Sequence, residues 1–313
     1  FECEKKILAC CHENKNFFSN VDDREMLHEF NLIGGTSDYI GREGIEFYPQ
    51  ELMVFKLSDL QGTDKCTCLR NIQNKKSKYR VPEFDVLLET EFLHPMIKGK
   101  NVTPFHVEWD EFIVPFPYEK ENPRVPMSIR KLSEKAPKLA SYYIENKKLI
   151  LDQTGYNERI IGKEDAEFYA LARVGEYSYA DNYVVFRDNT KWAAAVISNV
   201  DTTWGGIKRP LFQNHAVSIC EDIQGNFITL DEAYYICGIM NASIVYKYMM
   251  QSSDSRSFPI RPRIIIPKYE QSNTVHNKIV ELSKEAHVIY ADQAKVKEIV
   301  GKIDLLYKKL LEK

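Results

Sequence analysis

Apolar residues recur at helical spacing through one stretch near the middle of the chain. Between Ser128 and Leu151 they fall three or four residues apart, which predicts a helix with one buried face. Pro137 is expected to begin its main segment, because proline is tolerated in the first turn of a helix. Residues 128–151 are therefore predicted to be a helix that connects the parts of the chain on either side.

Two further stretches carry the helical pattern in the last third of the chain. Asp231 precedes the apolar run Glu232–Met250 and is predicted to cap a helix there, because its carboxylate can accept bonds from the first backbone N–H groups. The tail, Asn273–Lys313, has apolar positions at the same spacing, with an interruption expected near Gly301. The chain is therefore expected to end in a helical segment.

Short apolar runs between turn signals predict strands elsewhere. Residues 27–57 combine glycines with short alternating runs, which predicts strands joined by tight loops. Residues 63–81 predict an exposed loop or hairpin, and residues 84–93 predict a strand and a helical turn stopped by Pro95. Further strands are predicted at Glu111–Pro115, Asp181–Phe186, Trp192–Ile197, Ala216–Ile219, Phe227–Thr229 and Arg261–Pro267.

These elements predict an α+β fold with two mixed, strand-rich lobes. A chain of 313 residues is long enough for about two domains. We predict an N-terminal lobe over residues 1–127, a connecting helix over 128–151, a second lobe over 152–270 and a C-terminal helical segment over 271–313.

Composition favours a cytoplasmic protein without metal or membrane segments. No run of about 18 apolar residues is present, so no transmembrane helix is expected. Seven cysteines are an odd number in a chain too large to need disulfides, which favours a reducing compartment. The close cysteines at 10–11 and 66–68 lack the spacing of a structural zinc site, so no metal site is predicted. Because the chain starts at Phe1, we expect a fragment or a processed product.

The net charge of −3 argues against a uniformly basic nucleic-acid coat but allows local basic surfaces. Residues 65–80 contain six basic residues, residues 256–268 contain four, and neither stretch contains an acidic residue. Because phosphate binding needs positive charge at one place, both stretches are candidate contacts. The alternative interpretation is ordinary solvated loop charge.

The segment Phe92–Val102, FLHPMIKGKNV, resembles a signature from the target-recognition region of adenine-N6 DNA methyltransferases in type IIG restriction–modification enzymes. In that family an apolar pair, a proline, two aliphatic residues, a Lys-Gly-basic triplet and an Asp or Asn recur in this order. Further segments resemble the same region in the same order along the chain: Asp38–Leu57, Lys135–Leu151, Phe168–Phe186, Gly238–Ser243, Phe258–Pro267 and Lys302–Leu310.

The resemblance implies a module that recognises a target sequence in double-stranded DNA. Methyl transfer would be performed by a catalytic domain elsewhere in the same polypeptide, which would bind S-adenosylmethionine, and this chain would bind no cofactor. The loop that holds a flipped adenine in such enzymes is not recognisable here, because Asn122–Pro123 is followed by Arg124 instead of a second proline. We therefore predict no catalytic residue in this chain.

Basic, amide and aromatic side chains of these segments and of the polar stretch Ser198–His215 are the predicted DNA contacts, because such groups hold phosphates and discriminate base edges. The predicted residues are Arg42, Lys98, Lys100, Asn101, Arg173, Trp204, Lys208, Arg209, Asn214, Arg256, Arg261 and Arg263. Arg261 and Arg263 alternate along a predicted strand and should share a face.

Several of these residues have a structural alternative. Gly99, between Lys98 and Lys100, allows close backbone approach to a phosphate, or it ends a helical turn that starts near residue 89. Arg173 contacts DNA or forms a structural salt bridge, and Asn214 reads a base or begins a strand.

Two other functions are compatible with the sequence. A Mg²⁺-dependent nuclease would use the close carboxylates of Glu83 and Asp85, although the Glu/Asp-x-Lys pattern of common nucleases is not found beside them. A protein-interaction scaffold would instead bind a partner subunit through the tail helices.

Overall fold

The computed structural model describes residues 7–10, 18–73, 81–152, 167–252 and 257–312. The α-helices are α1 (Arg24–Ile33), α2 (Gln50–Met53), α3 (Ile129–Lys135), α4 (Pro137–Leu151), α5 (Leu230–Met240), α6 (Ser243–Ser252), α7 (Thr274–Val288) and α8 (Gln293–Leu311). The strands are β1 (Ile7–Cys10), β2 (Phe18–Val21), β3 (Tyr39–Arg42), β4 (Phe55–Leu57), β5 (Cys66–Asn71), β6 (Asp85–Glu89), β7 (Leu93–Ile97), β8 (Val102–Thr103), β9 (His106–Val107), β10 (Ile113–Pro115), β11 (Tyr118–Glu119), β12 (Asn122–Pro126), β13 (Asn182–Arg187), β14 (Ala194–Ser198), β15 (Val200–Thr202), β16 (Gly206–Lys208), β17 (Leu211–Phe212) and β18 (Ala216–Asp222).

Most strands belong to two sheets. The first sheet has the order β17-β7-β10-β4-β5-β6 and is antiparallel except where β17 pairs with β7. The second sheet has the order β14-β13-β18-β3 and is antiparallel throughout. The α+β fold predicted from the sequence is confirmed.

Each sheet takes one strand from a distant part of the chain. β17, at residues 211–212, joins a sheet whose other strands lie between residues 55 and 115. β3, at residues 39–42, joins a sheet whose other strands lie between residues 182 and 222. Both sheets therefore contain chain from before and after α4, and the division into lobes at residues 127 and 152 stays a prediction.

One of the two inner strands of the second sheet, β13, is buried on both faces. Val184 and Phe186 pack into the core that also holds α1 and α5 to α8, whereas Tyr183 and Val185 pack into a separate cluster with Ile97 of β7. Because successive residues of a strand point to opposite faces, a strand that is buried on both faces needs a continuous apolar run, and residues 183–186 provide it. The first sheet packs against α2, α3 and α4 in a further cluster of buried residues.

The mid-chain helical region is confirmed as two helices, α3 and α4. Ser128 caps α3 by accepting a bond from the backbone N–H of Lys131, and Pro137 is the first residue of α4, as predicted. Leu139 and Tyr143 of α4 are buried against the first sheet. α4 therefore covers part of one face of that sheet.

The predicted N-cap at Asp231 is wrong, because Thr229 caps α5. The Thr229 hydroxyl accepts from the Glu232 backbone N–H at 3.2 Å, and the Glu232 carboxylate accepts from the Thr229 backbone N–H at 3.3 Å. This reciprocal pair satisfies two N–H groups that the first turn leaves free. The predicted continuous helix also breaks at Asn241, whose side-chain amide bonds both backbone groups of Ala194 in β14.

The tail is helical, as predicted, but its interruption lies at residues 289–292 between α7 and α8. Gly301, where the break was expected, lies inside α8 with open space beside it. Ile279 of α7 packs against Gly238 of α5, and Ile303 and Tyr307 of α8 are fully buried in the same core. The apolar stripe of the tail is therefore part of the core of this chain.

Four local predictions are corrected. Residues 27–33 are helical rather than extended, because Asp23 caps α1 and Phe30 and Ile33 share its buried face. The helical turn after β6 ends at residue 92, and β7 then runs through Pro95, one residue before its pairing with β17 begins. Residues 261–267 and 227–229 make isolated bridges to other segments and no regular strand.

An ion cluster of buried carboxylates and a half-exposed lysine joins four segments of the molecule. The ammonium group of Lys268 pairs with Asp222 of β18 at 2.8 Å and with Glu232 of α5 at 2.7 Å. Tyr39 of β3 donates its hydroxyl proton to Glu232 at 2.8 Å and accepts from the Tyr269 backbone N–H. Because every member has a partner, the cluster positions residues 268–269 against the second sheet without an unpaired buried charge.

Within the described residues, no helix is long and apolar enough to cross a membrane.

Replacing Asp222 should lower stability and flatten its acid dependence. Burial acts to raise the pKa of Asp222, but bonds from Lys268 and Asn226 outweigh it and bring the pKa to about 2. This is below the value of an unfolded aspartate, so the stabilisation is complete above about pH 5 and is lost as the pH falls from about 4 to 2. We expect Asp222→Asn to lower the free energy of unfolding at neutral pH by about 2–3 kcal/mol.

Urea unfolding of both proteins across this pH range checks the prediction. Asp201→Asn, at an exposed aspartate of β15, is the matched control. Equal pH dependence in the wild type and Asp222→Asn would contradict the assignment.

Candidate nucleic-acid interface

The turn that carries Lys98 and Lys100 is fixed by its own amide residue. Asn101 accepts the Lys98 backbone N–H through Oδ1 at 2.9 Å and donates Nδ2–H to Glu111 at 2.8 Å. Asn101 is buried, so its side chain serves the turn and not a ligand. The turn projects the two lysine side chains on either side of Gly99.

Gly99 is required by a close approach of two backbones. A Cβ at this position would lie 2.5 Å from the carbonyl oxygen of His215, which real structures do not show. Gly99 begins a short 3₁₀ turn, so the alternative in which it ends a helical turn is wrong. The glycine therefore permits contact between the turn and the chain that follows β17.

Three lysines surround one aromatic ring beside this turn. The Nζ atoms of Lys98, Lys100 and Lys56 lie 4.2, 4.7 and 5.4 Å from the ring centre of Phe112. Lys100 and Lys56 also pair with the same oxygen of Glu111, at 2.7 and 3.4 Å. We call Lys56, Lys98 and Lys100 the lysine cluster.

The lysine cluster lines a cleft of about 680 Å³. Its lining also includes Gln50, Asn71 and Gln73, the basic residue Arg70 and the acidic residue Glu83. The charge of Arg70 is largely compensated, because it makes a two-pronged bond to Asp85 and pairs with Asp59. The lysine cluster is therefore the part of the cleft that offers cationic groups to a ligand.

Charge and burial shift the ionisation of the groups in the cleft. Burial lowers the pKa of Lys98 to about 8, and the charges of Lys100 and Lys56 act in the same direction. Burial alone would raise the pKa of Glu111, but bonds from Lys100 and Asn101 outweigh it, so this pKa lies below its ordinary value. Glu111 is therefore ionised at neutral pH and balances one of the three ammonium groups.

Three of the predicted arginines come together in a second depression, of about 370 Å³. Arg42, Arg173 and Arg261 line it together with Tyr177, and we call it the arginine depression. The Arg42 guanidinium lies 5.3 Å from the ring centre of Tyr177 and pairs with Glu221. The arginine depression is thus formed by β3, the loop before β13 and the segment after residue 257.

Two of these arginines are engaged in ion pairs. Arg173, in the left-handed conformation at φ 63°, bridges Glu43 at 2.9 Å and Glu46 at 2.8 Å, which is the salt-bridge alternative considered for it. Arg261 is exposed and has no ion pair with the described residues. Arg261 and Arg263 are both exposed on either side of the buried Pro262, which agrees with the predicted alternation.

The predicted reading stretch forms the β15–β16 hairpin, which folds back onto the first sheet. Lys208 donates to the backbone carbonyls of Thr90 and Glu91, at 2.7 and 3.3 Å. Trp204 is half-buried and packs against the core of that sheet. The Arg209 guanidinium lies 4.3 Å from the ring centre of Tyr179. These three predicted contacts therefore hold the hairpin in place.

Two predicted residues remain. Asn214 is half-buried and accepts a bond from Gln213, its neighbour in the chain. Arg256 lies outside the described residues. Most of the predicted residues that the structure describes thus lie at three separate places, the turn of the lysine cluster, the arginine depression and the hairpin with Arg209 directly after it.

The carboxylates considered for a nuclease are not arranged for metal binding. Both oxygens of Asp85 accept bonds from Arg70, and Oδ1 also accepts from Ser58 at 2.7 Å. These bonds, from Arg70 first, hold the pKa of Asp85 below its ordinary value. Within the part of the chain that the structure describes, no group of three or more His, Cys, Asp or Glu side chains could hold a metal ion.

The sequence did not indicate Lys56, Phe112 or Gln50 as parts of the site. Lys56 and Phe112 lie more than 40 residues apart, on β4 and just before β10, and come together because those strands are neighbours in the first sheet. Lys56 follows the buried Phe55, so strand alternation could have shown that it is exposed. Its neighbours depend on strand order, which no local pattern gives.

No protein-family model matches the chain, and no curated protein matches it. The likeness to target-recognition regions therefore rests on the sequence motifs alone.

Two glycines that differ in their surroundings provide a test of the turn. We expect Gly99→Ala to lower the free energy of unfolding by about 1–3 kcal/mol, because its Cβ would overlap the His215 carbonyl. Gly301→Ala in α8 meets open space and should raise stability by about 0.5–1 kcal/mol, because alanine favours the helix. Urea unfolding checks both changes, and a neutral Gly99→Ala would contradict the close approach.

Proposed function

We propose that this chain is a DNA target-recognition module. It binds double-stranded DNA for an adenine-N6 methyltransferase of the type IIG restriction–modification kind. The catalytic domain belongs to the same polypeptide and binds S-adenosylmethionine, and the enzyme acts in the cytoplasm. What supports the wider assignment is the ordered set of motifs that resemble such recognition regions.

The observation that carries DNA binding is the lysine cluster. Three ammonium groups surround one ring, and the Glu111 carboxylate compensates only one of them. Phosphate oxygens are the ligands that such groups prefer, and phosphate contacts supply most of the affinity for DNA. The sequence continues from Gln73, at the edge of the cleft, into residues 74–80, which include four basic and no acidic residues.

The arginine depression supplies the second proposed contact. Arg42 and Arg173 would have to release their carboxylate partners before they could bind DNA, and breaking such ion pairs costs free energy. Arg261 has no ion pair with the described residues that DNA binding would break. We therefore assign the DNA contact of this depression to Arg261, whose guanidinium can bind a phosphate or a guanine edge.

Removing two cluster lysines should weaken DNA binding in a salt-dependent way. We expect the double variant Lys98→Met and Lys100→Met to lose about 10-fold in affinity at low salt, because two phosphate contacts disappear. The slope of log affinity against log salt should fall by about 2, since each lysine that neutralises a phosphate contributes about 1. Fluorescence anisotropy of a labelled duplex, titrated at several salt concentrations, measures both quantities.

The matched control is the double variant Lys297→Met and Lys302→Met, which removes two exposed charges from α8. It should leave both quantities nearly unchanged. No duplex binding by the wild-type chain at low salt would refute the proposal. Equal losses in the two double variants would mean that the lysine cluster is not the binding site. Selection from a pool of random duplexes tests target recognition, because a sequence-specific reader enriches a common motif.

A further inference from the structure

Lys98 differs from its two neighbours in the lysine cluster. Lys56 and Lys100 share the Glu111 carboxylate, whereas no carboxylate of the described residues pairs with Lys98. The hydrogen bond of its Nζ goes to the amide oxygen of Gln50 at 3.3 Å. The same Nζ lies 4.2 Å from the ring centre of Phe112. This amine therefore lacks a carboxylate partner, and its charged form is favoured only by the amide oxygen of Gln50 and the ring face of Phe112.

We propose that Lys98 is a modification site that takes up the acyl group of an acyl phosphate, whose phosphate is held by the ammonium groups of Lys56 and Lys100. The cleft of about 680 Å³ that all three lysines line has room for such a small molecule. This inference concerns a covalent reaction of the chain and needs no bound DNA.

The surroundings of Lys98 favour a neutral, nucleophilic amine. Burial is the main reason that its pKa falls to about 8, and the nearby charges of Lys100 and Lys56 lower it further, against the opposing charges of Glu111 and Glu51. At pH 8 about half of the molecules carry the neutral amine, whereas an ordinary lysine, with a pKa of about 10.4, is neutral in well under one per cent. Burial and neighbouring cations activate lysine nucleophiles in this way.

The reaction balances without any further reagent. The Lys98 Nζ lone pair attacks the acyl carbon and forms the N–C bond of an amide. The C–O bond to the phosphate breaks, and inorganic phosphate leaves with that electron pair. The proton lost from Nζ passes to water or to the released phosphate. Lys56 and Lys100 share the single Glu111 carboxylate and so keep one net positive charge, which would hold the phosphate group of the donor and stabilise the departing phosphate.

The modification would regulate the proposed DNA contact. Acylation replaces an ammonium group with a neutral amide, so the lysine cluster keeps two ammonium groups against the Glu111 carboxylate. Affinity for the duplex should then fall with the loss of one phosphate contact. This consequence, but not the reaction itself, rests on the proposed function.

The test incubates the full chain with acetyl phosphate at pH 8 and follows each lysine by peptide mass spectrometry. We expect Lys98 to be acetylated about 10-fold faster than the exposed Lys297 of α8, because its larger neutral fraction outweighs the lower nucleophilicity that accompanies a lower pKa. Equal rates at Lys98 and Lys297 would overturn the inference.

A second acyl donor separates phosphate recognition from simple reactivity. Acetic anhydride carries no phosphate, so the double variant Lys56→Met and Lys100→Met should slow acetylation of Lys98 by acetyl phosphate more than acetylation by the anhydride. Equal slowing with both donors would overturn the role of the two lysines. A thermal melt of this variant shows that it is folded, and Lys297 in the same sample reports any general change in reactivity.

Added duplex DNA links the inference to the proposed function and keeps the two distinguishable. If DNA occupies the cleft, a saturating duplex should protect Lys98 and leave Lys297 unaffected. Rapid acetylation of Lys98 without protection would support the modification site and count against the DNA contact. Protection of Lys98 by DNA, together with acetylation of Lys98 no faster than that of Lys297, would support the DNA contact and count against the modification site.

Discussion

The parallel pairing of β7 with β17 places residues more than 100 positions apart in backbone contact, and the position of the lysine cluster follows from it. Met96 and Ile97 pair with Leu211 and Phe212, and the chain then passes behind the turn so closely that only glycine fits at position 99. The turn is held on its other side by Asn101 and Glu111. Two independent restraints therefore set where the side chains of Lys98 and Lys100 emerge.

Electrostatic compensation separates the two basic surfaces. In the arginine depression, Arg42 and Arg173 each have carboxylate partners, so the charges there stabilise the fold. In the lysine cluster, one carboxylate serves two lysines and the third ammonium group lies on an aromatic ring. A basic surface whose charges are paired with its own carboxylates attracts anions weakly. A basic surface with more ammonium groups than carboxylates is stabilised when it binds an anion. This difference is why we assign the principal contact to the lysines.

Sequence patterns predicted those parts of the fold that depend on local spacing. The helical region that contains α3 and α4 was predicted as one helix whose main segment begins at Pro137, and the helical tail was recognised from its apolar stripe. Some errors were local, such as the N-cap at Thr229 instead of Asp231. Another error occurred where a side chain bonds a distant backbone. Asn241 breaks the predicted helix by binding Ala194, and no spacing rule within residues 230–250 shows that partner.

The sequence by itself determined the α+β class, the helical end of the chain and the presence of Lys98 and Lys100 on either side of a glycine, because these depend on neighbours within a few positions. Only the tertiary structure decided that Phe112 and Lys56 join those lysines, that Lys208 turns inward to two carbonyls and that Arg173 is neutralised by glutamates. Those outcomes depend on strand order and on which residues approach across long separations. The burial of the whole apolar core stabilises this tertiary arrangement. The sequence of a single segment is therefore not enough to specify it.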